Sequence, residues 1–484
     1  MNPPQTLKMT KRPLDLEPVD SATIATLAGK VSTLACWVFI ASIFSAIISL
    51  RCLYGDGSFQ LTETLKAGNF VAVAMNRDCA SYIFQLPVVT ALKLGCNNLY
   101  LLQLAFGVGC FVPWLIALMF CYQMAPRNFW LAMIGCGFGY LNASFMPVGE
   151  YIIAHAFFWP ILFAVLFVRP LKPLAAGMML ISALILVYSY ESLLFLGPAL
   201  ALVAAERLLG KGEKGWARIV FAVTTGLLLC AAWIALGGVL HPDCPGNFGG
   251  FKRGLKWMFF NPTWTMGWSF IWLFMLGILC VGQQSFTKRY FKLELALVGM
   301  AMAIWGLWPL FDPENLSVER QYESRPMQLL VPFGLLIIAR IMISFPRWFE
   351  ARRHYLVAFS ASLLLAQSAW HLTATWQWNG FLGTWRGMLA SRSGLITLSE
   401  THVGSPSLQG QCLRFDWNWA NPTLSLMLAP EGKVRAVALP RVKPIWQPFD
   451  PFNVAAYPRL ERYGIDYSEF TNAVQKQKLR PIRP

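Results

Sequence analysis

Residues 31–50 of the chain read VSTLACWVFIASIFSAIISL, and RCLYGDG follows directly at residues 51–57. The first stretch contains no charged residue, and it has the length of about 20 residues that an α-helix needs to cross a bilayer. The second stretch brings a base, Arg51, and an acid, Asp56, to the end of that helix. Together they predict a membrane helix that ends in a charged, glycine-rich turn.

The rest of the sequence has the same apolar character. Of its 484 residues, 56% are apolar and 13% are charged, whereas a soluble domain carries about 25% charged residues. This balance excludes a cytosolic enzyme, a secreted disulfide scaffold and a disordered regulator. It predicts an all-α polytopic membrane protein, in which the net charge of +16 comes from basic residues that orient the helices in the membrane.

Ten further apolar stretches suit membrane helices, so the sequence predicts about eleven transmembrane helices in total. These stretches are residues 99–122, 129–146, 151–168, 174–189, 192–205, 217–240, 263–281, 293–310, 327–344 and 355–371. The fourth and fifth of them are separated at the sequence Tyr188-Ser-Tyr190-Glu191. A single helix there would move the later clusters of Lys and Arg to the external side, against the usual preference.

The predicted orientation divides the chain into three regions. Residues 1–30 form a cytoplasmic tail, residues 31–371 form the transmembrane domain, and residues 372–484 form a small external α/β domain. The first external loop is long and covers residues 51–98. Three segments of the C-terminal region are interpreted as strands: residues 395–399, 424–428 and 434–439.

The first external loop concentrates residues that can carry chemistry. Glycines on both sides of Asp56 allow the backbone to turn tightly and to approach a ligand closely. The stretch 82–94 is too apolar for a free loop and too short and interrupted to span, so it is interpreted as an amphipathic helix at the membrane surface, and the stretch 61–74 is a candidate for a second one. The alternative is that Asp56 serves only as a turn residue or a helix cap.

The predicted architecture resembles that of the GT-C superfamily of membrane glycosyltransferases. The shared features are an acid just after the first span, a long external loop with surface helices, ten or more spans and an external C-terminal domain. The resemblance covers residues 31–371 as architecture and residues 54–57 as a motif. It implies a polyprenyl-phosphate sugar donor, a lipid or glycan acceptor and contact with membrane lipids. It also implies a location in the cell envelope, in a bacterial inner (plasma) membrane, with the N-terminus cytoplasmic and the C-terminal domain periplasmic.

Sugar transfer from a lipid phosphate needs a base and at least one cation. Asp56 is the candidate general base for the acceptor hydroxyl. Arg77, Arg320 and Arg325 are the candidates for the donor phosphate, because a guanidinium can hold two phosphate oxygens at once. The residues expected to line the substrate cavity are Asp78, Gln85, Glu150, His155, Tyr190, Glu191, Tyr322 and Glu323. The paired acidic motif of some GT-C branches is absent, so no cofactor is assigned, and a divalent metal ion is left open.

Each candidate also has a structural alternative. The arginines fit an ordinary charged loop, Glu191 fits a solvent-facing hairpin tip, and His155 fits a structural hydrogen-bonding role. The Trp-rich stretch 370–385 is interpreted as an aromatic belt at the lipid headgroups rather than as a sugar-stacking surface. A disulfide such as Cys79–Cys96 is compatible with the external loop, although no cysteine spacing predicts it.

Two other functions are compatible with the architecture. A transporter or lipid flippase would place ionisable residues near the bilayer centre, whereas here the acids gather at predicted external ends. A lipid-linked glycan polymerase would act on the same side of the membrane but would transfer a whole oligosaccharide. A nucleic-acid partner is not expected, because the cytoplasmic basic residues are spread over several short loops.

Overall fold

The structure is a computed structural model that describes residues 21–72, 77–141, 145, 148–210, 213, 215–241, 299–300, 302–304, 306–307, 310, 327–396, 415, 420–438 and 458–478. Four of the candidate site residues lie outside these described ranges: Arg320, Tyr322, Glu323 and Arg325. The predicted span 263–281 and most of the predicted span 293–310 also lie outside them.

The described part of the chain is almost entirely helical, as the sequence predicts. Its α-helices are α1 (Ser21–Ile48), α2 (Asp56–Ala67), α3 (Asp78–Lys93), α4 (Leu99–Met124), α5 (Phe129–Gly135), α6 (Glu150–Phe167), α7 (Pro173–Leu186), α8 (Leu193–Leu209), α9 (Gly215–Leu240), α10 (Met327–Ser344), α11 (Pro346–Ser391), α12 (Asn421–Met427) and α13 (Ser468–Lys478). The two strands are β1 (Gly394–Ile396) and β2 (Ala436–Ala438). Short 3-10 helices occur at Arg51–Leu53, Pro126–Asn128, Pro430–Gly432 and Pro458–Tyr463.

Five of the described helices are long and apolar enough to cross a membrane, which indicates a membrane protein. They are Ala22–Ile48, Leu99–Met124, Glu150–Phe167, Gly215–Leu240 and Pro346–Ser391. Helices α7 and α10 are apolar but shorter. Each of these seven helices overlaps a predicted span, but α1 begins ten residues earlier than its span, within the segment that the sequence analysis assigns to the tail.

The second predicted span after α1, at residues 129–146, does not form a regular helix. Helix α5 ends at Gly135, and Cys136–Leu141 continues as a π-helical segment. Two glycines allow this segment to pack closely against α6. A Cβ atom on Gly135 would lie 2.1 Å from the Trp159 ring, and one on Gly139 would lie 1.8 Å from the ring of His155. Close packing with α6 therefore takes precedence over regular helix geometry.

Helices α7 and α8 confirm the division of residues 174–205 into two helices. At one end of the bundle, Arg77 contacts both Glu150, the first residue of α6, and Glu191, just before α8. At the other end, Arg207 in the last turn of α8 donates a hydrogen bond to the carbonyl oxygen of Val168, which follows α6. Helix α8 therefore runs in the same direction as α6, and the chain reverses between α7 and α8.

Helix α11 is a continuous helix of 46 residues, which corresponds to a length of about 70 Å at 1.5 Å per residue. It contains the predicted span 355–371, and it continues past residue 372, where the sequence analysis begins the external domain. The indole nitrogen of Trp378 donates a hydrogen bond to the carbonyl oxygen of Ser49 at the end of α1. Because a bilayer core is only about 30 Å thick, much of α11 extends beyond it.

The interpretation of the tryptophans of α11 as a lipid-facing belt is wrong for three of the four. Trp370, Trp378 and Trp385 are 6%, 0% and 2% exposed, and only Trp376 is open, at 69%. The Trp378 ring contacts the ring of Tyr54 at a centroid distance of 5.6 Å. These rings are buried because the first loop and the C-terminal segment cover the outer part of α11.

The C-terminal segment contains one parallel strand pair, β1 with β2, which confirms two of the three predicted strands. The third, at residues 424–428, is wrong: it belongs to helix α12. Every residue of α12 is buried, so the alternation of polar and apolar residues there does not reflect one wet and one dry face. Pro422 lies in its first turn, where proline favours a helix start.

The C-terminal segment packs directly on helix α2. The hydroxyl groups of Ser58 and Thr423 lie 2.9 Å apart, and the hydroxyl of Tyr463 donates a hydrogen bond of 3.1 Å to the carbonyl oxygen of Leu65. The Gln103 amide of α4 reaches the carbonyl oxygen of Met427 at 2.7 Å. The first loop and the C-terminal segment therefore lie at the same end of the helix bundle.

Candidate functional site

Asp56 is the first residue of helix α2 and lies in the turn formed by residues 54–57, which we call the YGDG turn. Gly55 has φ 63° and ψ −132°, a conformation that is accessible almost only to glycine. A Cβ atom on Gly57 would lie 1.7 Å from the carbonyl oxygen of Cys52. The two glycines thus fix the turn for different reasons, one by its backbone angles and the other by close approach.

The surroundings of Asp56 favour a carboxylate that is held in place rather than free in solvent. The side chain is partly buried, and its Oδ1 atom is shielded from solvent. Its position in the first turn of α2 is at the end of the helix where the helix dipole favours an acidic side chain. The carboxylate form of Asp56 is the form that can accept a proton.

Arg51 is fully buried at the start of the same loop, and it is not one of the residues predicted for the site. Its Nη1 atom donates hydrogen bonds to His371 Nδ1 at 3.1 Å and to Thr375 Oγ1 at 2.9 Å. Its guanidinium carbon lies 4.2 Å from the centre of the Phe145 ring. The other ring nitrogen of His371 contacts the carbonyl oxygen of Leu141, so His371 carries its proton on Nε2 and accepts from Arg51.

The charge of Arg51 is costly to bury, and its neighbours compensate for that cost. Burial lowers the pKa of Arg51 to about 9, which still leaves the guanidinium protonated at neutral pH. Hydrogen bonds and the face of an aromatic ring are the groups that stabilise such a desolvated cation. Arg51 therefore ties the segment between α1 and the YGDG turn to α11.

A second polar cluster, which we call the Arg77 cluster, unites four of the predicted site residues. Arg77 Nη2 lies 2.6 Å from Glu191 Oε1, and Arg77 Nη1 lies 3.5 Å from Glu150 Oε2. The guanidinium carbon lies 4.9 Å from the centre of the Tyr190 ring. Burial alone lowers the pKa of Arg77, but the attraction of Glu150, Tyr190 and Glu191 outweighs it and raises this pKa above its ordinary value.

The segment that precedes α6 connects the YGDG turn with the Arg77 cluster. The rings of Tyr54 and Phe145 are in edge contact at 5.3 Å, and a Cβ atom on Gly57 would lie 3.0 Å from Val148 Cγ2. Two residues later, Glu150 pairs with Arg77. Among the described residues, the structure therefore brings Asp56, Arg77, Glu150 and Glu191 to one region, at the end of the bundle that the C-terminal segment covers.

Two further predicted residues lie on helix α3 and have different surroundings. The Gln85 amide makes both of its hydrogen bonds to the backbone of Val71, accepting from the nitrogen at 2.8 Å and donating to the oxygen at 2.9 Å. It therefore pins the segment after α2 to α3. Asp78 occupies the first turn of α3 and is partly buried, directly after Arg77 in the chain.

His155 is separated from Glu150 in the structure. Residues five apart differ by about 140° around a helix, and His155 turns towards the rings of Trp114 and Trp159, with centroids at 5.1 Å and 5.7 Å. Among the described residues, neither ring nitrogen of His155 has a hydrogen-bond partner. Within the described part of the chain, the His155 ring therefore packs against aromatic rings.

Metal and disulfide sites were left open by the sequence. Among the described residues, no group of three or more His, Cys, Asp and Glu side chains is arranged to hold a metal ion. Cys79 and Cys96 are both free thiols. The described part of the first loop is therefore stabilised by packing, hydrogen bonds and ion pairs.

The Arg77 cluster leads to a first prediction. Replacing Arg77 with alanine should lower the free energy of unfolding by about 2 kcal/mol. Removing one partner of a fully buried ion pair costs about 3–5 kcal/mol, and the Arg77 pairs are slightly exposed. The reason is that Glu150 and Glu191 lose their cation while they stay largely buried, at 12% and 21% exposure. In a Glu191→Gln background the same change should cost measurably less, as a double-mutant cycle of thermal unfolding would detect. If the losses in free energy of unfolding from Arg77→Ala and Glu191→Gln simply add in the double variant, the pairing of Arg77 with Glu191 is contradicted.

The chain matches no protein-family model, no curated protein and no solved structure.

Proposed function

We propose that the chain is an integral-membrane glycosyltransferase that moves a sugar from a polyprenyl-phosphate donor to a hydroxyl of a lipid or glycan acceptor. Asp56 acts as the general base. The observation that carries this proposal is the position of Asp56 at the start of α2, with one carboxylate oxygen shielded and the backbone fixed by Gly55 and Gly57. A base that is held in this way can keep the short distance of about 3 Å that proton transfer requires.

The proposed reaction uses Asp56 in one step. The acceptor hydroxyl attacks the anomeric carbon of the donor sugar, and its proton passes to the Asp56 carboxylate. The bond between the anomeric carbon and the phosphate oxygen breaks, and the polyprenyl phosphate leaves with the electron pair. The acceptor thus becomes the glycosylated product, the donor becomes free polyprenyl phosphate, and Asp56 becomes protonated. The proton then passes from Asp56 to solvent.

The departing phosphate needs cations, and the described arginines are not equivalent for this role. Arg77 already faces two carboxylates, so the Arg77 cluster has a net negative charge that disfavours another anion. We therefore assign Arg77 to holding α3, α6 and the α7–α8 turn together. Arg320 and Arg325 keep the role of phosphate ligands that the sequence predicts.

The contact between α2 and the C-terminal segment supports an external site. Helix α2 and the C-terminal segment are in contact, so both lie on the same side of the membrane and the chain between them must cross it an even number of times. Helix α1, which precedes α2, adds one crossing to this even number. An odd total, such as the predicted eleven, agrees with this requirement. Together with the cytoplasmic N-terminus that the basic clusters predict, this supports our assignment of Asp56 to the external side.

Lipid that copurifies with the chain provides a direct test. The full chain, purified in mild detergent, should carry polyprenyl-phosphate species at a level well above their share of the membrane, as mass spectrometry of the extract would measure. The Asp56→Asn chain should retain the sugar-bearing donor, since donor binding does not need the base. Recovery of bulk phospholipids alone from both chains would contradict the proposal. Products extended by whole oligosaccharides would point instead to a glycan polymerase.

A further inference from the structure

A cavity of about 700 Å³ opens at the end of the bundle opposite to the YGDG turn. It lies between the C-terminal ends of α6 and α8 and the turn that leads into α7. Val165, Leu166 and Val203 provide apolar walls. The charged residues that line it are Arg169, Glu206, Arg207, Glu213 and Arg340. This combination of apolar walls and convergent charges is typical of a ligand site.

Two of these charges are engaged in holding the cavity together. Arg207 is only 7% exposed and is ion-paired with Glu213. It also donates hydrogen bonds to the carbonyl oxygens of Val165 and Val168 at the end of α6. The Glu213 carboxylate accepts a further bond of 3.3 Å from the backbone nitrogen of Leu171. These groups make a rigid base for the cavity.

The remaining charges are accessible from solvent. Arg340 pairs with Glu206 at 2.6 Å, and their side chains are 40% and 45% exposed. Arg169 is exposed and has no ion-pair partner within the described ranges, and its charge repels that of the neighbouring Arg207. Three guanidinium groups face two carboxylates, so the lining has a net positive charge that an anion would neutralise.

We propose that this cavity binds a phosphate-bearing anion, with Arg169 and Arg340 as its ligands. A guanidinium matches two phosphate oxygens with two parallel hydrogen bonds. Basic pockets between membrane helices are suited to the headgroups of anionic phospholipids. The apolar walls, and exposed side chains nearby such as Leu174 at 65% and Leu209 at 82%, favour a lipid over soluble phosphate as the source of the group.

The test compares lipid and soluble phosphate on the full chain. The purified chain is reconstituted in phosphatidylcholine nanodiscs with or without phosphatidylglycerol, or is titrated with inorganic phosphate, and the bound anion is measured by native mass spectrometry. Arg169→Gln should weaken phosphatidylglycerol binding by about tenfold or more, as expected for the loss of the charge-assisted hydrogen bonds of one guanidinium. Lys172→Gln is the matched control, because Lys172 is an exposed base three residues away that does not line the cavity.

The outcomes separate the two sources. Tight binding of phosphatidylglycerol that Arg169→Gln weakens and Lys172→Gln does not would establish a lipid site. Binding of inorganic phosphate with the same mutational pattern, and no added effect of the lipid, would establish a soluble-anion site. Arg340→Gln provides a second variant, and it should weaken the same ligand. Equal binding by the original chain, both cavity variants and Lys172→Gln would overturn the proposal.

Discussion

Replacing Asp56 with asparagine should slow sugar transfer by about 100-fold or more, since general base catalysis contributes roughly 10²–10⁴-fold to such reactions. The amide keeps the size of the side chain and its place at the start of α2, but it cannot take up the proton of the acceptor hydroxyl. The measurement is the rate of labelled sugar incorporation by membranes that contain the full chain, supplied with polyprenyl-phosphate-linked sugars one at a time.

Glu63→Gln is the matched control for this substitution. Glu63 lies on the same helix two turns further on, and it pairs with Lys66 at 3.0 Å near the surface. The change removes the same charge, and a partly exposed pair of this kind contributes only about 0–1 kcal/mol, so both transfer and folding should be unaffected. Transfer by the Asp56→Asn chain at more than about a tenth of the original rate would remove the base from the mechanism.

Replacing Gly57 with alanine should lower the free energy of unfolding by about 3 kcal/mol or more, at the upper end of the cost of overpacking. The new methyl group would lie 1.7 Å from the carbonyl oxygen of Cys52. That neighbour is backbone, so no side-chain rotation can relieve the overlap, and the YGDG turn has to open. We expect a lower midpoint of thermal unfolding in detergent, together with loss of transfer, because Asp56 moves with the turn.

Gly226→Ala, in helix α9, distinguishes this effect from a general intolerance of the chain to alanine. Nothing lies within 4 Å of the position that its Cβ atom would take. Alanine favours a helix interior by about 1 kcal/mol over glycine, so this variant should be as stable as the original chain or slightly more so. An unfolding midpoint for Gly57→Ala that matches that of Gly226→Ala would show that the turn is not as rigid as described.

The membrane helices could be predicted well where an apolar stretch is bounded by polar or charged residues. The predicted span 327–344 ends at the same residue as α10, because Pro346 and Arg347 follow the apolar run. Helix α11 is longer than its span because hydropathy reports only the part that suits lipid. The polar residues beyond residue 371 are compatible with a helix in water or in a protein interior, and the burial of its tryptophans depends on chain segments distant in sequence.

The charged residues of the Arg77 cluster could be predicted from the sequence, but their contacts could not. Charge patterns single out Arg77 and Glu191, yet these residues are 114 positions apart, and only the packing of α3 against the α7–α8 turn brings them together. Arg51 and His371 are 320 positions apart. The signal for Arg51 was present, as a base directly after a charge-free span, but a single base there is also typical of an ordinary membrane boundary.

The packing of α2 on the C-terminal segment has a consequence for biosynthesis. Thr423, which contacts Ser58, is added to the chain 365 residues later, and a ribosome that adds roughly 5–20 residues per second needs about 20–70 seconds for that distance. During this interval one face of α2 stays bare, open to chaperones and proteases. A nascent chain that stops before the C-terminal segment would carry Asp56 on a helix α2 that lacks its packing partner.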